Sequence, residues 1–418
     1  MSIASKNIAL LGVFGSGNFG NDASLAAMVQ FLHRAKPEAE LTCICPDPEN
    51  VAAAYGIPAV AMSWHGLSAR WFQLLNRALL KVPSRLINFG RAVRHISRFH
   101  LLVVPGTGIF DDFGEGPWGV PFGVFRWCLA ARLTGTRIAV ASVGAGPIHH
   151  PISRWFMKAA LRMAHYRSYR DSYSKDYMHS IGFDSSVDPV CPDLAFGLEP
   201  PAPQPPRSGD SLTVGVGIMT YYGWHNDPGV GAALFDGYIG KLTGFILGLL
   251  DRGHKVRLLI GDKNDKTALE ALLARIEAAR PGIDFDRLSA PPITSLTDVM
   301  GIIAGCDAVV ATRFHNVVAA LALGKPVISI GYAQKNDMLL GEMGLSEFCQ
   351  HIERLNPELL EQQFARLVAS EAEYSRLVRE GAAHMRARLK VQEAAIAAAF
   401  LQRTPARAGE VTSPAPMR

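Results

Sequence analysis

Residues 7 to 14, Asn-Ile-Ala-Leu-Leu-Gly-Val-Phe, form a continuous apolar run that stops at Gly15-Ser-Gly-Asn-Phe-Gly-Asn-Asp22. Leu25, Met28, Val29 and Leu32 then recur at helical spacing up to Ala35. Strand, glycine turn and helix in immediate succession are the unit from which parallel sheets are wound. Leu41 to Cys45, Leu101 to Val104 and Arg137 to Val143 are further strand candidates, each separated from the next by helical material. The pattern predicts an α/β, doubly wound parallel sheet.

The series is interrupted once. Pro200-Pro-Ala-Pro-Gln-Pro-Pro-Arg-Ser-Gly-Asp-Ser211 propagates neither regular structure, because proline fixes φ and lacks a donor. A second series follows, through Leu212-Thr-Val-Gly-Val-Gly-Ile, Lys255-Val-Arg-Leu-Leu-Ile-Gly, Ala308 to Thr312 and Pro326-Val-Ile-Ser-Ile-Gly331. At 418 residues the chain suits two cores. The expected organisation is a Rossmann-like domain over 1–200, a linker at 201–211 and a second Rossmann-like domain over 212–356, the two halves facing across a cleft. Helices are expected over 357–402 and a disordered tail over 403–418.

A formal charge of +5 and a pI near 8.9 favour acidic ligands, but the excess is too small to argue for nucleic acid. Of six cysteines only Cys43 and Cys45 are close, and no second Cys or His cluster stands at zinc spacing, so ordinary buried thiols in a reducing cytoplasm are expected. Met1 to Lys6 lead straight into the first strand, which leaves no room for a signal peptide, and no apolar run reaches the length of about 18 residues that spans a membrane.

Chemistry is expected where strands end. Gly17, Asn18, Gly20, Asn21 and Asp22 lie between the first strand and helix, where backbone amides at a helix N-terminus suit an anion or a sugar hydroxyl. Asp47, past the next strand, sits where a ribose-binding acid would. Gly106, Thr107, Gly108 and Asp111, with Asp112, repeat the pattern at another strand end, and the carboxylates there could orient acceptor hydroxyls or act as a base. Phe113 to Trp127 is rich in glycine and aromatic residues and reads as a wall that stacks on sugar or lipid, or as core. Arg170 stands at a strand end before Asp171 and Ser174, and Asp193 caps a turn. Arg313 and His315, one residue apart, project to one face if the segment is extended, giving a guanidinium fork for a carboxylate or phosphate beside an imidazole that titrates near neutrality. Tyr332 and Lys335 follow the next strand and add a cation.

The succession Gly17-Asn-Phe-Gly-Asn-Asp-Ala23, Gly106-Thr-Gly-Ile-Phe-Asp111, Val143-Gly-Ala-Gly-Pro147, Arg170-Asp-Ser-Tyr-Ser174, Pro192-Asp193, Arg313-Phe-His315, Gly324-Lys-Pro-Val and Gly331-Tyr resembles the polysaccharide pyruvyl transferases over roughly residues 8 to 340. The resemblance implies a GT-B-like pair of Rossmann-type domains, the first on the acceptor side and the second on the donor side. It implies transfer of a pyruvyl group from phosphoenolpyruvate to a sugar of a bacterial polysaccharide or lipid-linked precursor, forming a ketal and releasing phosphate. Arg170 and Arg313 would then hold the donor's phosphate and carboxylate and His315 would be the acid, with no cofactor and no metal. Phe314 stands where the family commonly has leucine, and Met219-Thr-Tyr-Tyr222 lacks an arginine expected after that strand. A GT-B glycosyltransferase using a nucleotide sugar and an inactive scaffold in polysaccharide assembly are the rival readings.

Between Trp64 and His100 stand Arg70, Arg77, Lys81, Arg85, Arg91, Arg94 and Arg98 with no acid, beside Trp71, Phe72, Leu74, Leu75, Leu79 and Leu80. Two readings stand: the segment rests on an anionic membrane, at the inner face of the plasma membrane, or it packs its apolar faces on the sheet and solvates its arginines.

Overall fold

The computed structural model describes residues 7–64, 69–112, 116–202, 211–223, 227–284 and 286–402. Most of the expected linker and the whole expected tail lie outside the described residues.

Two parallel six-stranded sheets form the frame. The first contains β1 (Asn7–Leu11), β2 (Glu40–Cys45), β3 (Ala59–Ala61), β4 (Leu101–Pro105), β5 (Arg137–Val143) and β6 (Tyr166–Tyr169), in the order β3-β2-β1-β4-β5-β6. The second contains β7 (Thr213–Gly217), β8 (Lys255–Leu259), β9 (Leu288–Ser289), β10 (Ala308–Ala311), β11 (Val327–Gly331) and β12 (Cys349–His351), in the order β12-β11-β10-β7-β8-β9. Numbered within its own lobe, each sheet has the order 3-2-1-4-5-6 of a dinucleotide-binding fold, whose winding reverses beside the first strand. Ligands of such sheets sit past the carboxyl ends of the strands at that reversal, which falls between β1 and β4 in one lobe and between β7 and β10 in the other.

The central strands are fully buried, so apolar residues occupy both their faces, as in Leu101–Val104 and Val309–Ala311. Prolines in the first turn open the helices Pro48–Tyr55, Pro151–Met163, Pro228–Asp251 and Pro357–Ala369, where the missing amide hydrogen costs nothing. Asp47, considered above for a ribose, caps the first of these by accepting from Asn50 N at 3.2 Å. By length and composition alone helix Pro228–Asp251 could cross a membrane, since an 18-residue window of it has a mean hydropathy of 1.4, but Asp236 and Lys241 interrupt the apolar run. Its Tyr238, Ile239, Leu242, Phe245, Ile246, Leu249 and Leu250 are buried in the core of the second lobe.

The lobes meet directly. Phe19 N donates to Gly261 O at 3.2 Å and Lys263 N to Gly17 O at 3.0 Å. Helix Glu371–Ile396 leaves the second lobe and straps the first. Its buried Gln392 bonds Ser168 Oγ at 2.7 Å and Ser142 Oγ at 2.9 Å, and Arg388 donates to Val190 O at 3.1 Å. Buried hydrogen bonds of this kind each contribute about 1 kcal/mol net, and they join residues more than 190 positions apart to one frame.

Candidate active site

β10 ends at Ala311, and Thr312 is locked by a 2.8 Å bond between its Oγ1 and Tyr238 Oη. Arg313 then takes the N-cap position, extended at φ −70° and ψ 130°, of the buried helix Phe314–Ala322. This corrects the expectation of an extended Arg313-Phe-His315 segment with both side chains on one face. Helix begins between them, so the chain turns and the two side chains go to different partners.

Arg313 turns into its own lobe. Its Nε donates to Asp265 Oδ2 at 2.9 Å and its Nη2 to Asp265 Oδ1 at 2.6 Å, a bidentate fork. Asp265 is fully buried and also accepts from Thr220 N at 3.0 Å and Gly261 N at 3.1 Å, so its charge is met by four donors. The Arg313 guanidinium edge carrying Nη1 is not part of the fork.

His315 turns toward the other lobe. Its ring lies against the backbone of Gly20 so closely that a Cβ there would overlap Nδ1, which is why only glycine serves at that point of helix Phe19–Ala35. Its Nε2 is 3.5 Å from Asp193 Oδ2, and neither atom has a hydrogen bond of good geometry. Asp193 caps the short turn Leu194–Gly197 through Ala195 N, 3.0 Å from Oδ1. Burial would raise the Asp193 pKa, but His315, Arg170 and the Ala195 amide together hold it below the usual carboxylate range. For His315, burial dominates, and with Arg170 and Lys335 it lowers the imidazole pKa against the opposing pull of Asp193. The resting pair is therefore a carboxylate beside a neutral imidazole.

Gly20→Ala is expected to push the imidazole from this seat at a cost of about 1–3 kcal/mol, the usual range for overpacking. Thermal unfolding and turnover would both fall; a variant with wild-type rate would show that the seat is irrelevant to activity.

Arg170 closes the arrangement from the first lobe. At the end of β6 its guanidinium lies on the backbone of Gly144, where a Cβ would come within 2.6 Å of Nη2. Its Nη1 stands 3.7 Å from Asp193 Oδ2, and its Cζ is 5.2 Å from the centre of the Phe314 ring. Lys335 Nζ approaches the same ring at 5.2 Å and the Tyr332 ring at 5.1 Å. Burial would raise the Tyr332 phenol, yet Lys335, Arg313 and Arg170 outweigh it and bring the group below its ordinary value. Cations from both lobes thus act at one place. A cavity there is lined by Arg170, Asp193, Phe314 and Lys335, with Asp171 and Glu342.

The remaining expected residues are placed differently. Gly17, Asn18, Gly20, Asn21 and Asp22 lie in the seam between lobes. The Gly20 and Asn21 amides are taken by Asn18 Oδ1 at 3.1 and 3.3 Å, and the Phe19 amide by Gly261 O. Asn21 Nδ2 donates to Val13 O, and Asp22 Oδ1 accepts from Gly15 N. The anion cradle expected at this helix N-terminus is therefore corrected: a side-chain cap and the facing lobe already use its donors. Of Gly106, Thr107, Gly108 and Asp111, Thr107 lies beside the seat of Arg170, its O accepting from Gly144 N at 2.9 Å, while Gly106 packs against Leu194 and Ser142 O. Thr107 Oγ1 is buried without a partner, and Asp111 lies over Gly108. Asp112 accepts from the amides of His149 and His150 at 2.9 and 2.8 Å. Asp265 went unremarked in the sequence, and nothing in its surroundings there marks it: it lies 48 residues from Arg313. Asp193 was visible only as a turn cap.

A family model described as polysaccharide pyruvyl transferase matches residues 18–334. Among solved structures, a glycosyltransferase from Rickettsia africae is similar at 11% identity and TM-score 0.57, over 95% of this chain and 99% of that one. UDP-GlcNAc 2-epimerase from Neisseria meningitidis bound to UDP-GlcNAc aligns at 10% identity and TM-score 0.56, over 93% and 99%. MurG of Acinetobacter baumannii aligns at 13% identity and TM-score 0.52, over 95% and 99%. At these identities the likeness is one of fold, the two-lobed GT-B arrangement. No curated protein matches the chain.

Proposed function

The chain belongs to the polysaccharide pyruvyl transferase family and is an enzyme of that type, and from this premise we propose that its donor is phosphoenolpyruvate and its acceptor a sugar of a bacterial polysaccharide or lipid-linked precursor. The observation that carries the reading is the convergence of Arg170 and Lys335 on the Phe314 ring, with Lys335 also over Tyr332 and the Arg313 charge helping to depress that phenol, beside the His315–Asp193 pair. Phosphoenolpyruvate offers two anionic groups, phosphate and carboxylate, and a cationic site drawn from both lobes suits both.

In the proposed reaction a proton adds to the methylene carbon of the donor, and the neighbouring carbon becomes electrophilic. One sugar hydroxyl adds there and gives up its proton. A second hydroxyl of the same sugar then displaces phosphate, closing the ketal. Of the two hydroxyl protons, one balances the proton gained by the new methyl group and the other leaves with phosphate. His315 Nε2 is the proposed site of the transferred proton. A dianionic donor offsets the charge of Arg170 and Lys335, two of the causes that depress the imidazole, while Asp193 stabilises the protonated form. The arginine and lysine side chains stabilise the departing phosphate. The free cysteines, nearly all buried, suit the reducing cytoplasm in which we set this chemistry.

The test is isotopic. Carbon-labelled phosphoenolpyruvate, given to the purified protein with a glycan extract, should deposit acid-labile label in the glycan. Sugar incorporation from a labelled nucleotide sugar without phosphoenolpyruvate would replace this reading with glycosyl transfer.

A further inference from the structure

The segment between β3 and β4 folds as two helices, Arg70–Ala78 and Val82–Ile96, and the first buries only Phe72. Trp71 is 65% exposed, Leu74 70%, Leu80 78% and Leu86 65%, with Leu75, Leu79 and Val82 also exposed. Leu80 and Lys81 make the turn between the helices with positive φ of 50° and 63°, so the apolar tip is held by backbone geometry rather than by a core beneath it. The expectation that these apolar faces pack on the sheet is therefore corrected for the first helix and for the turn.

The patch continues onto neighbouring elements. Arg85 Cζ stacks 3.6 Å above the Trp118 ring, and Trp118 contacts Phe122 and Phe156, with Phe125 and Trp155 in the same aromatic cluster. Trp118 and Trp155 are themselves about half exposed. Large apolar side chains exposed together on neighbouring elements, with basic residues among them, mark an interaction surface. Trp118 and Trp155 stand near the starts of helices that follow β4 and β5, and Val82 at the start of the helix that runs back to β4. All three are on the carboxyl edge of the first sheet, the edge that carries Arg170.

We propose that this hairpin, with Trp71, Trp118 and Trp155, is a docking surface for an anionic phospholipid bilayer. Charge decides between occupants. Seven cations and no acid stand between residues 64 and 100, and none of the seven lies within ion-pair distance of a described carboxylate. A second copy of the chain would oppose this charge with its own across a twofold axis. Anionic headgroups complement it, leucines enter the acyl boundary, and tryptophans suit the interface by having one apolar and one polar side. The inference does not depend on the identity of the donor.

The full-length protein should float with vesicles of phosphatidylglycerol and phosphatidylcholine at low salt, be released at high salt, and ignore pure phosphatidylcholine. Leu74→Ser with Leu80→Ser, and separately Arg77→Glu with Lys81→Glu, should each weaken binding by at least about tenfold, since each basic residue near such a surface matters severalfold. Exposed sites leave the melting temperature unchanged, which separates lost docking from lost fold. Three outcomes overturn the proposal: no flotation of the wild type at low salt, flotation untouched by both pairs, or a dimer in light scattering that the leucine pair dissociates while vesicle binding is absent.

Discussion

Arg313→Ala is expected to damage the fold as severely as the chemistry, lowering unfolding free energy by about 3–5 kcal/mol, the range for removing one partner of a buried ion pair. The reason lies with the partner. Asp265 is fully buried, and of its four donors two are the Nε and Nη2 of Arg313. Truncating the arginine leaves a carboxylate with two amide donors and no countercharge in a place where water does not reach. From sequence the same substitution reads as a loss of rate with the fold preserved. The fork to Asp265 adds a loss of stability of comparable weight. Denaturant unfolding of the purified variant measures it, and Arg313→Ala with Asp265→Leu should recover part of the loss by removing the orphaned charge. A single variant within about 0.5 kcal/mol of wild type would remove the ion pair from the account of stability.

The two-lobed architecture was readable because parallel strands buried on both faces are continuous apolar runs, and Gly15-Ser-Gly-Asn-Phe-Gly announces where such a run must turn into helix. Arg170, Arg313, His315 and Lys335 were readable for a related reason: polar groups following an apolar strand stand at its carboxyl end, Arg170 and Arg313 directly and His315 and Lys335 as second residues of the helices that follow. What sequence could not supply was the choice each group makes among partners. Whether Arg313 faces a ligand or Asp265 depends on a loop 48 residues upstream. Whether the amides after Gly17 face a ligand or Gly261 depends on how closely two lobes dock. Neither is a local property of the chain. The strap from Gln392 to Ser142 and Ser168 is likewise silent in sequence, since a glutamine in a polar helix has no period that marks it as buried.

His315→Gln is expected to lower turnover by about a hundredfold to ten-thousandfold while the protein stays folded, the range for losing a positioned acid or base. Glutamine fills similar space against Gly20 but titrates nowhere near neutrality. Asp193→Asn then tests how the imidazole is tuned. Burial, Arg170 and Lys335 all lower the His315 pKa, and Asp193 is the group that raises it. Removing the Asp193 charge must therefore lower the His315 pKa further. If the protonated imidazole is the acting form, the pH above which turnover falls should move down, so that Asp193→Asn loses most at neutral pH and regains ground as the medium is acidified. If the neutral imidazole acts as a base, the shift in pKa is the same but its consequence is opposite: the rising limb moves to lower pH and the variant keeps its rate at neutrality. The pH profile of turnover for the two proteins separates these cases, and profiles that superimpose would show that the carboxylate 3.5 Å from Nε2 takes no part in proton transfer.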